Sequence, residues 1–488
     1  MSMKLRSLVI AMAVASASGC MIGPDYFRPA VEVPQAYRIT PGQAAAAADT
    51  QWWKQYGDPV LDQLISDSLA SNWSVQIAAA NVEAAAGILT RTRAPIFPQV
   101  GYSGDAGRAR YTESVDGAVA PGTANPQGLN QAAFVASWEI DLWGRIHRQS
   151  EAAEANLLAT EQARNGVILA LVSSVANSYL QLRGLDQQLE ISKKTLDVYG
   201  QSLKFFELQF KYGQTSEMTV AQARSQYETA AAQIPQIQQQ IVQLENALSL
   251  LAGRNPGPIP RGKSLVELTA PAVPGGLPSQ LLERRPDIMQ AEQQLIAANA
   301  QIGAAKALYF PSISLTGAFG GSSSELSNVF NGSAKTWNFT GSVTGPIFTA
   351  GLISGQVAQA EANQQAALAN YQQTIQAAFG DVSNVLSARD QLLQQVASQQ
   401  NQVEALRNYA RLARLQYDGG YAPYSTVLQA EQQLFPAELT LARTRADSTA
   451  SVANIYKAMG GGWVEQASQL TVAATPSPEA EQPMPAAP

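Results

Sequence analysis

Residues 168–213 read ILALVSSVANSYLQLRGLDQQLEISKKTLDVYGQSLKFFELQFKYG, and the fold follows from their spacing. Ile168, Leu171, Val175, Ser178, Leu182, Leu185, Leu189, Ser192, Leu196, Tyr199, Leu203, Phe206 and Phe210 stand three and four positions apart in strict alternation, and only Ser178 and Ser192 are polar. A sustained seven-residue repeat holds one apolar seam against a neighbouring helix and coils it left-handed. The spacing predicts a helix from Ile146 to Lys211, on the order of 100 Å long at about 1.5 Å per residue. Gly213 then marks a turn, because glycine takes the left-handed conformation that ends helices. Beyond it Val220, Ala223, Tyr227, Ala230, Ile234, Ile237, Ile241, Leu244, Leu248 and Leu251 resume the frame. Pro235 falls inside this returning helix and is expected to kink it or mark a change of partner, as is Pro436 in its counterpart.

The frame occurs twice. Ile375, Ala378, Val382, Val385, Arg389, Leu392, Val396, Gln399, Val403, Leu406, Ala410, Ala413 and Tyr417 repeat it, and Gly420 stands 207 positions after Gly213. Ala94-Pro-Ile-Phe-Pro98 matches Ala307-Leu-Tyr-Phe-Pro311, and Leu251-Ala-Gly253 matches Ala458-Met-Gly460. The expected organisation is a leader at 1–19, an extended segment at 20–58, a first repeat at 59–253, a linker at 254–280, a second repeat at 281–463 and a disordered Pro/Ala/Glu tail at 464–488. Each repeat opens with a helical stretch (Pro59 to Thr92; Leu281 to Ala307). Two alternating segments follow, and then the long helical hairpin.

The alternating segments separate small polar residues from apolar ones. Ile313, Leu315 and Phe319 oppose Ser312, Ser314 and Thr316; Trp337, Phe339 and Val343 oppose Asn338, Thr340, Ser342 and Thr344. In the first repeat Phe134, Ala136, Trp138, Ile140 and Leu142 oppose Ser137, Glu139 and Asp141. Runs of about ten residues with one apolar and one small polar face fit transmembrane β-strands. Trp138, Trp143, Tyr309 and Trp337 lie near segment ends, as in an interfacial girdle. Four strands cannot close a barrel, and an open sheet edge in lipid leaves backbone groups unpaired. Strands that span a membrane therefore require several copies of this chain.

Composition narrows the function. Charged residues are 14% of the chain, below the roughly 25% usual for soluble domains. A net charge of −6 argues against a nucleic-acid partner, which needs clustered Lys and Arg. Lys4, Arg6, the apolar run Leu8 to Val14 and Ala17-Ser18-Gly19 form a secretory leader. With Cys20, the sole cysteine, that end resembles a lipoprotein lipobox, which implies lipid attachment at Cys20 and, with Met21 following, sorting to the outer membrane.

Five markers span the mature chain: Gly23-Pro-Asp-Tyr26-Phe-Arg-Pro29; Trp53 with Asp58-Pro59; Trp138-Glu-Ile-Asp-Leu-Trp-Gly-Arg145; Leu281-Leu-Glu-Arg-Arg-Pro-Asp-Ile288; and Gly345-Pro-Ile-Phe-Thr-Ala-Gly351. Together they resemble the outer membrane factor family, the TolC-like and OprM/NodT-like channels of tripartite efflux pumps. The resemblance implies a mainly α fold with transmembrane β: a homotrimer whose twelve-stranded barrel, four strands per chain, continues as a periplasmic α-helical coiled-coil barrel. It implies a passive duct for drugs or other small toxic compounds, not an enzyme, without cofactor beyond the lipid. The implied partners are outer-membrane lipid, a periplasmic adaptor docking at the hairpin tips Gly213 and Gly420, and an inner-membrane RND-type transporter. In the family a Tyr before the second tip and acidic residues after it close the periplasmic mouth. Matched on Gly420, these positions are Tyr417, Thr426 and Gln429, so the acidic ring is missing here. The competing readings are a duct for secreted protein and a coiled-coil lipoprotein that tethers envelope layers.

Three motifs are set aside. Gly257-Pro-Ile-Pro-Arg-Gly262-Lys263-Ser264 spells a phosphate-binding loop, but Pro258 and Pro260 lack the N–H groups such a loop supplies. His147 is the only histidine, which leaves too few ligands for a zinc site. Arg284, Arg285 and Asp287 read as a charged helix start.

Overall fold

The computed structural model describes residues 21–31, 33–34, 51–112, 114, 124–271, 273, 279 and 281–460. The expected leader, Cys20 and the tail at 464–488 lie outside the described residues, as do residues 35–50. Besides a single turn at Leu281–Arg284, the described α-helices are α1 (Pro59–Ser71), α2 (Trp73–Arg93), α3 (Arg145–Lys211), α4 (Glu217–Leu251), α5 (Pro286–Ala307), α6 (Leu352–Asp418) and α7 (Tyr424–Ala458). The strands are β1 (Gln99–Ala109), β2 (Gln127–Ile140), β3 (Ser312–Ser323) and β4 (Lys335–Thr344). Contacts divide the chain into two units, one drawing on residues up to Ala30 with Asn81–Thr160 and Gln290–Gln372, the other on Val31–Ala80, Glu161–Met289 and the chain from Gln373.

The first unit holds the sheet, in the order β1-β2-β3-β4, antiparallel throughout. In the same unit α3 meets α5 through buried alanines, Ala152 and Ala155 against Ala297 and Ala300. Two ion pairs tie neighbouring helices, Arg93 to Glu154 at 2.6 Å and Lys306 to Glu361 at 2.9 Å. The second pair is the first displaced by the repeat. The extended segment after Met21 is strapped to the same unit. Ile22 N–H donates to the Trp143 carbonyl, the Arg148 side chain reaches the Ile22 carbonyl and Asp25, and Tyr26 donates to Glu292. Gly23 and Gly303 cross so closely that a Cβ on Gly23 would lie 2.4 Å from the Gly303 Cα.

The second unit is built on the long helices. On α6 every frame position from Ile375 to Tyr417 is buried or half-buried. On α3, from Ile168 to Leu185, burial is wider than one seam and includes Val172, Ala176, Tyr179 and Leu180. The reason is an aromatic plug from the preceding segment: Trp52, Trp53 and Tyr56 are buried, and Trp52 stacks on Tyr456 at 5.0 Å.

The structure departs from the sequence reading in a few places. The helical stretch expected from Pro59 to Thr92 breaks at Asn72. Its side chain caps α2 by accepting from Ser74 and Val75 N–H, and donates to the Leu251 carbonyl. The stretch from Leu281 breaks likewise at Arg285, which donates to the Ala458 carbonyl. Asn72 and Arg285 match at the repeat offset, as do Leu251 and Ala458, so one joint is built twice with different side chains. The run expected to include Leu142 ends at Ile140, because the Asp141 carboxylate accepts from His147 N–H and opens α3. The two prolines expected inside the returning helices do lie there, Pro235 within α4 and Pro436 within α7.

Candidate functional site

The register assigns each strand residue to a face. Because Gln99 lies opposite Ser137, Ser137 opposite Thr316 and Thr316 opposite Thr340, one face carries Gln99, Ser103, Gln131, Ser137, Ser314, Thr316, Thr340 and Ser342. Apart from Leu129 and Val135 its side chains are polar or small. The other face carries Val100, Ala136, Trp138, Ile313, Leu315, Phe339 and Val343. Across it runs a single row, Tyr102 opposite Phe134, Phe134 opposite Phe319 and Phe319 opposite Trp337. All four rings are more than half exposed, and Phe339 is 79% exposed. Such a face in water would invite aggregation, whereas in hydrocarbon it is the favourable one. Lys335 lies over the Phe319 ring at 5.1 Å, a cation at the end of the apolar band. Trp138 and Trp143 donate their indole N–H groups to the Ile96 and Pro311 carbonyls, which fixes both rings at one end of the strands. Among the described residues β1 and β4 each keep one edge without a strand partner. No described helix is long and apolar enough to cross a membrane.

The hairpin tips form the second region. Gly213 and Gly420 have φ of +72° and +74°, the left-handed region that favours glycine, and a Cβ on either would meet nothing within 4 Å. Around them the same bonds occur twice: Gln214 N–H to the Gln209 carbonyl with Gly213 N–H to Phe210, and Tyr421 N–H to Gln416 with Gly420 N–H to Tyr417. Leu208, Phe210, Tyr212, Met218, Leu415 and Tyr421 are exposed beside these turns. The two hairpins pack on each other through Phe206, Val220 and Ala223 against Ala413, Tyr424, Val427 and Leu428.

The three aperture candidates are differently placed. Tyr417 is half-buried in the seam between hairpins, edge-on to Phe206 at 6.2 Å and to Tyr424 at 5.5 Å, with the Arg414 guanidinium 5.9 Å from its ring. Thr426 is half-buried and Gln429 exposed, one turn apart on α7. Glu431 was not among the candidates. Its carboxyl Oε2 is buried without a hydrogen-bond partner, its backbone carbonyl accepts from Tyr199, and burial pushes its pKa up to about 7 against the opposing pull of Arg414. An isolated Glu on a Gln-rich helix gives no sequence signal for this.

The motifs set aside have structural roles. The loop at Gly257–Ser264 wraps around a side chain of its own protein. The fully buried Asp58 carboxylate accepts from Val60 N–H at 2.9 Å, Tyr179 hydroxyl at 2.8 Å and Lys263 N–H at 3.0 Å, and Gly262 N–H donates to the Tyr179 hydroxyl. A Cβ at Gly262 would overlap Asp58 Oδ1 at 2.0 Å, so glycine is needed for that approach. His147 pairs with Asp141 at 2.7 Å. Arg285 grips Asp287 through two nitrogens and reaches Asp381 at 3.1 Å. Among the described residues no group of three or more His, Cys, Asp or Glu could hold a metal ion.

Comparison with known proteins agrees with this architecture. The model of the "Outer membrane efflux protein" family matches residues 64–254 and again 277–461. The cation efflux system protein CusC of Escherichia coli O6:H1 is 37% identical over 466 residues, covering 94% of this chain and 99% of CusC. The probable efflux pump outer membrane protein TtgC of Pseudomonas putida is 36% identical over 469 residues, 95% of this chain and 96% of TtgC. Among solved structures, a CusC crystal structure superposes with a TM-score of 0.81 at 35% identity, covering 91% of this chain and 100% of that one. The open state of the Neisseria gonorrhoeae MtrE outer membrane channel gives 0.82 at 30% identity, covering 91% and 99%.

Proposed function

The chain belongs to the outer membrane efflux protein family, and on that footing we propose that three copies close their sheets into one twelve-stranded barrel and conduct small toxic compounds out of the cell. It is an outer membrane efflux channel; the family and the relatives are channels rather than enzymes. The observation that carries the assembly is the sheet. It has an aromatic, apolar face, a small polar face and two unpaired edges, and hydrocarbon tolerates such edges only when they are closed. The polar face lines the water-filled interior and the aromatic face meets lipid. That sheet also favours a duct over a tether of envelope layers, which needs no such surface.

The finer parts of the reading follow from the ends of the elements. The exposed apolar side chains around Gly213 and Gly420 suit a periplasmic adaptor, which links the duct to an inner-membrane RND-type transporter. Lipid at Cys20 is tethered two residues from Ile22, itself bonded to Trp143 at the base of the strands. Repeats at 59–253 and 281–463, joined by 254–280, supply two hairpins per copy. The relatives' names span cations and toluene, so this duct takes whatever small solutes its transporter delivers. Tyr417, Thr426 and Gln429 form the periplasmic constriction: Tyr417 braces the seam between hairpins, while Thr426 and Gln429 face the pore with neutral groups in place of an acidic ring.

Reconstituted protein tests the aperture. Gln429→Ala shortens an exposed side chain without touching the seam, and single-channel conductance is expected to rise. Unchanged conductance removes Gln429 from the constriction. Deletion of the gene and complementation test the duct: sensitivity to toxic compounds is expected to appear and then be reversed. Unaltered sensitivity to drugs, solvents and metal ions alike contradicts the reading.

A further inference from the structure

The two faces of the sheet differ in charge as well as in polarity. The strands hold four charged residues, Asp105, Arg108, Glu139 and Lys335. By register Asp105 and Glu139 stand on the small polar face, whereas Arg108 and Lys335 stand on the aromatic one. Both cations lie toward the end of the sheet where β1 turns to β2 and β3 to β4, remote from the ends that join the helices. Both are exposed, and among the described residues neither has a carboxylate partner. A cation beside hydrocarbon is costly unless it reaches the interface or an anion.

Beside Lys335 the aromatic face is hollow. The ring row Tyr102, Phe134, Phe319 and Trp337 is followed on that face by Gly104, Ala132, Gly321 and Lys335. Three of these four carry no side chain beyond Cβ, so the surface drops away past the rings. The loop between β3 and β4 forms the opposite wall. Its Val329 and Ala334 are buried, and a Cβ on Gly321 would lie 1.9 Å from the Val329 carbonyl oxygen, so glycine lets the loop fold over the strand there. Phe330 stands exposed at the rim. The cavity holds about 750 Å³ and is bounded by Tyr102, Phe134, Phe319, Phe330, Asn331 and Lys335. That is within the roughly 300–1,000 Å³ of sites that enclose a small ligand. Lys335 is the one charged residue on its lining, with its ammonium 5.1 Å from the centre of the Phe319 ring.

We propose that this hollow seats one acyl chain of a phosphate-bearing lipid of the outer leaflet, with the Lys335 ammonium on the phosphate. This rests on the reading above that the aromatic face meets hydrocarbon, and it names the lipid held there. With the helices in the periplasm, the loop end of the strands reaches the outer leaflet. The aromatic walls and the bare floor suit an acyl chain. The charge selects the headgroup: a zwitterionic lipid would bring a second cation to a face whose strands carry no carboxylate, whereas an anionic one meets Lys335 unopposed, with Arg108 farther out on the same face.

Native mass spectrometry of the full-length trimer tests the site by counting the lipids retained from micelles doped with diphosphoryl lipid A or with phosphatidylcholine. Wild type is expected to hold lipid A, up to one per chain, at least about fivefold more tightly than phosphatidylcholine. Lys335→Gln is expected to abolish that preference without weakening phosphatidylcholine, and Lys335→Arg to keep it. Gly104→Leu fills the hollow, since nothing lies nearer than 3.9 Å to a Cβ built there, and is expected to weaken both lipids. Phe330→Ser, on the loop, gives the same reading should Gly104→Leu fail to assemble. Wild type without a preference for lipid A, or a preference untouched by Lys335→Gln, overturns the headgroup assignment. Wild-type retention by Gly104→Leu and Phe330→Ser marks the lipid as general boundary lipid and overturns the hollow as its seat, with the barrel still standing. Protein that never assembles in lipid or detergent removes the barrel and the lipid site together.

Discussion

At Asp58 one carboxylate accepts hydrogen bonds from Val60 N–H, the Tyr179 hydroxyl and Lys263 N–H while fully shielded from water. It joins the start of α1, the middle of α3 and the linker after α4. Asp58→Ala leaves three donors facing a void and is expected to lower stability by about 3 kcal/mol, read as a lower melting temperature; Asp58→Asn, which keeps one acceptor oxygen, is expected to cost less. Glu431 is the opposite case, a buried carboxyl with an unpaired oxygen. Burial holds its pKa at about 7, above the ordinary 4.5, so the folded chain keeps a proton that the unfolded chain releases between those values. Stability therefore falls as pH rises through that window and stays lowered above it. Glu431→Gln is expected to change nothing below pH 4.5 and to stabilise by about 2 kcal/mol at pH 8, discounting for the part solvent reaches. Denaturant melts of both proteins across that range check it, and parallel curves for the two count against a buried carboxyl.

At the scale of elements, the joints carry the repeat more faithfully than the sequence does. Asn72 and Arg285 share no chemistry except a donor that reaches the last turn of a returning helix, at Leu251 and at Ala458. Removing either leaves a carbonyl unpaired, so Asn72→Ala and Arg285→Ala are each expected to cost about 1–3 kcal/mol in thermal melts. A variant that melts with wild type marks that joint as dispensable. Much of this architecture was legible beforehand. The three-four spacing announced the hairpins, Gly213 and Gly420 announced their turns, and alternation in Ile313–Phe319 and Trp337–Val343 announced the faces of β3 and β4. β1 was harder to read, since Gly101, Gly104 and Gly107 leave few side chains to alternate. The breaks at Asn72 and Arg285 were hidden because each side chain donates a tertiary hydrogen bond to a helix end far along the chain, at Leu251 and at Ala458. The surroundings of Tyr417 and Glu431 were hidden for the same reason, as packing between two hairpins decides which side of a helical tip is buried.

The whole chain presents surfaces that make sense only together: an aromatic band that suits hydrocarbon, a small polar face that suits water, and two strand edges that suit neither. Closing the edges around a shared axis satisfies all of them at once. The mass of the full-length, lipid-reconstituted particle tests this most directly, measured by light scattering with the lipid contribution subtracted. Three chains per particle, lost only on heating in denaturing detergent, is the predicted result. A particle holding one folded chain, with its strands intact by circular dichroism, would contradict it.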